Sequence, residues 1–189
     1  MQNLTLNDRV DAYNETFPSF PKLFVSNGWI VGTWLIGNYY RNRNEYYGCY
    51  PHSYLKRIKS MFPDCKKILH VFSGSVKQED TFDINPKYKP TYIGDAHILS
   101  TIVKKKYELI LADPPYSNED ADHYGTPMIN RNVVVKECSK ILEKGGSLVW
   151  LDQVFPMYLR KDLHLVGVIG LIRSTNHRVR TVFIFRKEN

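Results

Sequence analysis

The sequence predicts an α/β fold: a mostly parallel sheet flanked by helices, with a C-terminal antiparallel hairpin. Three observations point there. Short apolar runs (KILHVF at 67–72, TFDI at 81–84, LILA at 109–112, SLVWL at 147–151) are followed by turns rich in Gly, Pro or Asp, the pattern of buried parallel strands. Helical spacing of apolar residues separates several of these runs. Two β-rich stretches, 163–172 and 179–186, close the chain and are joined by Arg173–Arg178 (RSTNHR), which suits a hairpin.

Taken in order, residues 1–24 are polar with scattered aromatics and read as a loosely structured arm, because Pro18 and Pro21 bracket Phe20 and disfavour a long helix there. Residues 25–40 (VSNGWIVGTWLIGNYY) are β-branched and aromatic, broken by glycines, and predict a pair of short strands or an extended segment packed on the main body. Arg41–Tyr50 interleaves arginines, asparagines and tyrosines. Such a segment can touch a nucleic-acid backbone and stack bases, or it can be a polar loop over a tyrosine-rich edge. Residues 51–62 (PHSYLKRIKSMF) place Tyr54, Leu55, Ile58, Met61 and Phe62 at helical spacing behind a proline.

The strand at 67–72 ends in Ser73-Gly74-Ser75. A glycine at the C-terminal edge of a strand lets a ligand approach the backbone closely. Only a few residues separate Gly74 from Asp83, room for barely one helical turn, so the first crossover must be nearly absent or extended. Asp83, at the tip of the next strand, can accept both hydrogen bonds of a ribose diol; a plain turn carboxylate is the alternative. Residues 91–93 predict a further strand ending at Gly94-Asp95-Ala96, with a helix over 98–106. Residues 117–126 (SNEDADHYGT) read as an acidic mobile loop, and 127–142 as a helix stopped by Lys144-Gly145-Gly146. Trp150 and Asp152 read as core and strand-end positions, and His70 as a satisfied core histidine.

The bulk numbers bound the function. A chain of 189 residues is most simply one domain with a core of its own. A net charge of +7 favours a polyanionic partner, and an aromatic content of 13% supplies rings for stacking bases. Cys49, Cys65 and Cys138 lack CxxC spacing, which argues against zinc and against a secreted disulfide framework. No signal peptide and no apolar run of roughly 18 residues is visible. The expectation is a cytoplasmic protein with no metal and no membrane association.

The central stretch is LILADPPYS, residues 109–117. Pro114 and Pro115 cannot donate to a ladder and fix φ, so they stop the strand and stiffen its exit. Asp113 and Tyr116 are thereby presented at a strand's C-terminal edge, where open α/β sheets bind ligands.

This order of strand, SGS, DINP, GDA, DPPY, GG and hairpin resembles the S-adenosylmethionine-dependent DNA N6-adenine methyltransferases, particularly the small prophage type. The resemblance covers residues 48–187. It implies a Rossmann-like methyltransferase fold, with residues 1–47 as an N-terminal extension and 48–189 as the catalytic domain. It implies S-adenosylmethionine as cofactor, held by Tyr50, Pro51, Phe72, Ser73, Gly74, Ser75, Asp83, Ile84, Asp95, Ala96 and Asp113. It implies catalysis by Asp113, Pro114, Pro115 and Tyr116, with Tyr116, Asn176, His177 and Arg178 holding the target base. On that reading the Asp113 carboxylate and the Pro114 carbonyl accept the two N–H bonds of an exocyclic amine whose lone pair is delocalised, drawing the nitrogen toward a tetrahedral state, and the Tyr116 ring receives a base that has left its stack. The partner expected is DNA; target recognition would come from the N-terminal segment, from 117–126, or from a second copy or partner chain. C5 methylation is excluded, since it needs a Pro-Cys pair and no cysteine here follows proline. Amino-methylation of RNA, at guanine N2 or adenine, is the enzymatic alternative. A catalytically silent nucleic-acid-binding subunit is the other.

Overall fold

The computed structural model describes residues 4–37, 50–51, 53–173 and 179–188. Among the described residues nine strands are laid down in chain order: β1 (Phe24–Ser26), β2 (Trp29–Ile36), β3 (Ile68–Val71), β4 (Asp80–Asp83), β5 (Tyr92–Ile93), β6 (Tyr107–Ala112), β7 (Leu142–Asp152), β8 (His164–Arg173) and β9 (Val179–Arg186). They form one sheet in the order β1-β2-β8-β9-β7-β6-β3-β4-β5. From β3 the chain winds outward to β4 and β5, then returns to place β6 and β7 on the other side, all parallel. The β8–β9 hairpin is antiparallel and inserts β9 beside β7. The expected α/β, Rossmann-like architecture with its terminal hairpin is what the chain adopts.

The alternation of side chains across the pleat divides the core in two. Ile68, Leu109, Leu111, Val149 and Leu151 face α1 (Leu6–Thr16) and α2 (Tyr54–Met61), which contribute Val10, Tyr13, Tyr54, Ile58 and Met61. Leu69, Val71, Ile110, Ala112, Leu148 and Trp150 face α3 (Leu99–Ile102) and α5 (Arg131–Ile141), which contribute Leu99, Val134, Val135, Cys138 and Ile141.

Several local expectations are corrected. The loose arm contains α1, opened by a capping box in which Asp8 N donates to Thr5 Oγ1 at 3.2 Å and Thr5 N donates to Asp8 at 2.8 Å. Pro18 follows the C-cap Phe17, so it ends this helix and does not prevent it. The predicted helix at 98–106 is a 3-10 turn over Ala96–Ile98 running into the four-residue α3, and Lys104–Lys106 lie beyond it. The acidic loop at 117–126 forms α4 (Asn118–Tyr124), capped by Ser117, which accepts from Asp120 N at 3.1 Å, and closed by Gly125 at φ +65°. The helix expected over 127–142 starts later, at Arg131, ends at Ile141, and passes straight into β7 at Leu142 without a glycine stop. Gly145 and Gly146 lie inside β7, where the register against β6 shifts.

The first crossover carries no helix: between β3 and β4 the chain passes through residues 72–79 as turns. Residues 25–36 form the expected strand pair, and β2 runs parallel to β8 with Ile30 opposite Gly167. The division placed at residues 47 and 48, most of Arg41–Tyr50, and the base-holding candidates Asn176, His177 and Arg178 lie outside the described residues. Among the described residues no helix is long and apolar enough to cross a membrane.

Candidate active site

The sheet reverses its winding between β3 and β6, so the loops after these two strands open a crevice at the switch point. The loop after β3 is contorted there. Phe72 and Glu79 hold left-handed φ values of +60° and +66°, and Gly74 one of +50°. Non-glycine residues in that region store strain and concentrate at functional sites. Glu79 is pinned on both oxygens: Lys59 of α2 donates to Oε1 at 2.7 Å, and Oε2 lies 2.7 Å from His70 Nε2. His70 is fully buried but only half satisfied, since its Nδ1 has no partner among the described residues. Burial holds its pKa below the ordinary value against the pull of Glu79.

Asp83, at the end of β4, reaches back to the loop. Its Oδ2 accepts from Gly74 N at 2.8 Å and its Oδ1 from Asn85 N at 2.9 Å. Ser73 Oγ, beside that bond, is buried without a partner among the described residues. Asp95 follows β5 and accepts from His97 N at 2.9 Å and lies 2.6 Å from His97 Nδ1. Partial burial opposes ionisation, yet these His97 bonds hold the Asp95 carboxyl below the usual range. The other ring nitrogen, His97 Nε2, accepts from Asn130 N at 2.8 Å, which makes Nδ1 the donor and ties the turn to the start of α5. Ile84 and Ile98 are exposed beside the two carboxylates, so this edge offers apolar surface flanked by acceptors. Phe72, Ser73, Gly74, Asp83, Ile84, Asp95 and Ala96 are thus distributed over adjacent strand ends, and Gly94 N donates to Asp83 O at 3.1 Å between them.

Across the switch point, β6 is buried to its last residue and delivers Asp113 two positions beyond Leu111. The Tyr116 hydroxyl donates to Asp113 Oδ1 across the two prolines. Burial pushes the Asp113 carboxyl up to about 7, against the opposing effects of the Arg180 charge and the Tyr116 bond, with Asp152 and Asp120 adding to the rise. The Tyr116 phenol is likewise raised well above its ordinary value by burial and by Asp113. From the opposite wall, Tyr50 and Tyr54 stack at 5.3 Å, and Tyr50 packs edge-on to His70 at 5.8 Å. Tyr54 Oη is buried with no partner among the described residues.

Two arginines that the sequence did not single out complete the site. Arg131, the first residue of α5, donates Nη2 to Tyr116 O at 3.0 Å and Nε to Asp152 Oδ2 at 2.7 Å. Asp152 is fully buried at the end of β7 and also accepts from Trp150 Nε1 at 3.1 Å and Gln153 N at 2.7 Å. Arg180 of β9 lies over the Tyr116 ring, its guanidinium carbon 4.2 Å from the centroid. A basic residue at the head of a helix and an alternating basic residue in a β-run were the available signals. Neither identifies its partner. Among the described residues no group of three His, Cys, Asp or Glu could hold a metal ion.

No protein-family model and no curated protein matches this sequence. Among solved structures, the chain is similar to TrmN from Thermus thermophilus at 15% identity and TM-score 0.46, over 64% of this chain and 43% of that one. It is similar to the N-methyltransferase NodS from Bradyrhizobium japonicum, solved with S-adenosyl-L-homocysteine, at 13% identity and TM-score 0.44, over 66% and 79%. A third is an rRNA methylase from Streptococcus thermophilus, at 9% identity and TM-score 0.42, over 66% and 88%. The chain spans less than half the length of the TrmN chain it matches.

Proposed function

We propose that this chain is an S-adenosylmethionine-dependent methyltransferase that modifies the exocyclic N6 amine of adenine in DNA. The observation that carries the reading is the Asp113-Pro114-Pro115-Tyr116 turn at the C-terminal end of β6, beside the switch point, with Asp113 Oδ1 occupied by the Tyr116 hydroxyl. When bound, the cofactor would supply an electrophilic methyl group on a sulfonium.

The residues across the crevice fit such a group. The strained loop over 72–75 brings backbone close, Ser73 Oγ is buried and unsatisfied, and Asp83 and Asp95 stand beside exposed Ile84 and Ile98, a set suited to a ribose and a flat purine. Tyr50 and Pro51 approach from the α2 side.

At the turn, Asp113 Oδ2 is the carboxylate oxygen left for an incoming amine, and the rigid Pro114 carbonyl is a second acceptor. A carboxyl that titrates near 7 also suits a group that must take up a proton from nitrogen at neutral pH. Tyr116 supplies the ring against which an extruded base rests. Arg131 keeps the end of the turn in place through the Pro115 and Tyr116 carbonyls.

The test is methyl transfer from radiolabelled cofactor to duplex DNA, tRNA and rRNA, followed by nucleoside analysis. N6-methyladenine in DNA is the expected product. Label confined to RNA would overturn the DNA assignment, and no label in any substrate would overturn the enzymatic one.

A further inference from the structure

We propose that Arg180 is the positioning residue of the turn, fixing the Tyr116 ring from one face and favouring the charged, acceptor form of Asp113. The catalytic consequence rests on the methyl-transfer reading above; the contact of Arg180 with the Tyr116 ring, whose hydroxyl bonds Asp113, stands on geometry.

Arg180 lies on β9 in the inward row it shares with Val182 and Ile184, and is only 8% exposed. Its guanidinium carbon sits 4.2 Å from the Tyr116 centroid, well within the range of a cation–π contact. Among the described residues its Nε–H has no acceptor and no carboxylate lies within ion-pair distance of it. Among the described residues the charge is therefore buried without an ion-paired carboxylate, and it meets the turn at the Tyr116 ring, whose hydroxyl donates to Asp113.

The other groups facing Asp113 do not do this work. Asp152 at the end of β7 and Asp120 of α4 oppose a second negative charge. Tyr50, partly buried, and Tyr54 of α2, fully buried, are phenols whose own ionisation is suppressed by burial and then by Asp113. Tyr116 donates one hydrogen bond, and Arg131 is engaged by Asp152 and the turn carbonyls. Arg180 is the cation that favours the Asp113 carboxylate, and at a half-buried turn a single charge acts more strongly than it does in open water. The same contact covers one face of Tyr116, so a flat substrate stacks on the other.

The experiment is a carboxyl-carbon NMR titration of Asp113 in the wild type, Arg180→Gln and Arg180→Lys, with the resonance assigned by its loss in Asp113→Asn. Arg180→Gln is expected to raise the Asp113 midpoint by about one unit or more, a tenfold change in the ionisation equilibrium. Arg180→Lys keeps the charge and is expected to restore the midpoint while losing the planar contact with the ring. The acid limb of the pH–rate profile moves with the midpoint. An unmoved midpoint in Arg180→Gln overturns the proposal. Should that variant not fold, the wild type decides: the Arg180 Nε–H resonance must shift through the Asp113 titration, and a fixed resonance overturns the proposal equally. A wild type that transfers no methyl group refutes the enzymatic reading but leaves the titration result intact.

Discussion

Arg131 and Asp152 form a two-point ion pair behind the Asp113–Tyr116 turn, Nε to Oδ2 at 2.7 Å and Nη2 to Oδ1 at 3.2 Å. The carboxylate is fully buried and the guanidinium nearly so. Helix α5, strand β7 and the turn after β6 are thus joined at one point, and the turn inherits the rigidity of both elements.

Arg131→Ala leaves a buried carboxylate without its cation. Removing one partner of such a pair costs about 3–5 kcal/mol, which for a chain of this size lowers the melting temperature by roughly 6–20 °C. Turnover should fall at temperatures where the variant is still folded, because the Tyr116 carbonyl loses its anchor. Thermal melts paired with turnover at 15 °C check both; a variant with normal turnover at that temperature would show that the turn holds itself.

Asp113→Asn should abolish methyl transfer while leaving cofactor affinity, measured by calorimetry, within about threefold. It should also stabilise the protein. The folded carboxyl titrates at about 7 where the ordinary value is 3.8, so the folded state keeps its proton while the unfolded chain releases it. Stability is therefore lost as pH rises from about 4 to about 7, an effect of order 4 kcal/mol at most. Melting temperatures of variant and wild type should coincide near pH 4, diverge up to pH 7 and run parallel above it. Equal melting temperatures at pH 8 would refute the strained carboxyl.

Tyr116→Ala is expected to reduce turnover by about tenfold or more, since ring stacking is worth about 1–3 kcal/mol per base. Tyr116→Phe keeps the ring but loses the donor to Asp113, so its pH–rate profile should move upward with a smaller loss of rate. A Phe variant as impaired as the Ala variant would assign the role to the hydroxyl alone.

Gly146→Ala tests the bulge in β7. A Cβ there would stand 3.0 Å from Glu143 O and 3.1 Å from both Glu108 O and Tyr107 O, all backbone atoms. The expected loss is about 1–3 kcal/mol, seen as a lower urea midpoint. Gly125→Ala meets no atom within 4 Å but sits at φ +65°; its cost is conformational, about 1 kcal/mol. Equal midpoints for the Gly146 variant and wild type would mean that β7 shifts its register freely.

The parallel strands were legible because each is a compact apolar run stopped by a turn, and β3, β4 and β6 begin and end within a residue or two of those runs. The turn over Asp113–Tyr116 was legible for the same reason: two prolines mark where β6 must stop. Helix α1 was not, because its buried face is only Arg9, Val10 and Tyr13 in an otherwise polar segment, and its stability comes from packing that periodicity does not report. Helix α4 carries Ser117, Glu119 and Asp120 at its start and Gly125 at its end, sound capping signals without an apolar stripe behind them. The pairings of Arg131 with Asp152 and of Arg180 with Tyr116 join residues distant in sequence. Only the sheet order brings them together.

The parallel pairing of β2 with β8 sets a schedule for synthesis. Ile30 meets Gly167, a separation of 137 residues, so at about 5–20 residues per second the strand waits on the order of 7–27 s for its partner to be made. During that interval Ile30, Trp34 and Ile36, all buried in the finished protein, have only β1 and α1 beside them and lack β8. The sheet edge farthest from the Asp113–Tyr116 turn is therefore the last to close, and this is where a nascent chain most needs shelter from its neighbours.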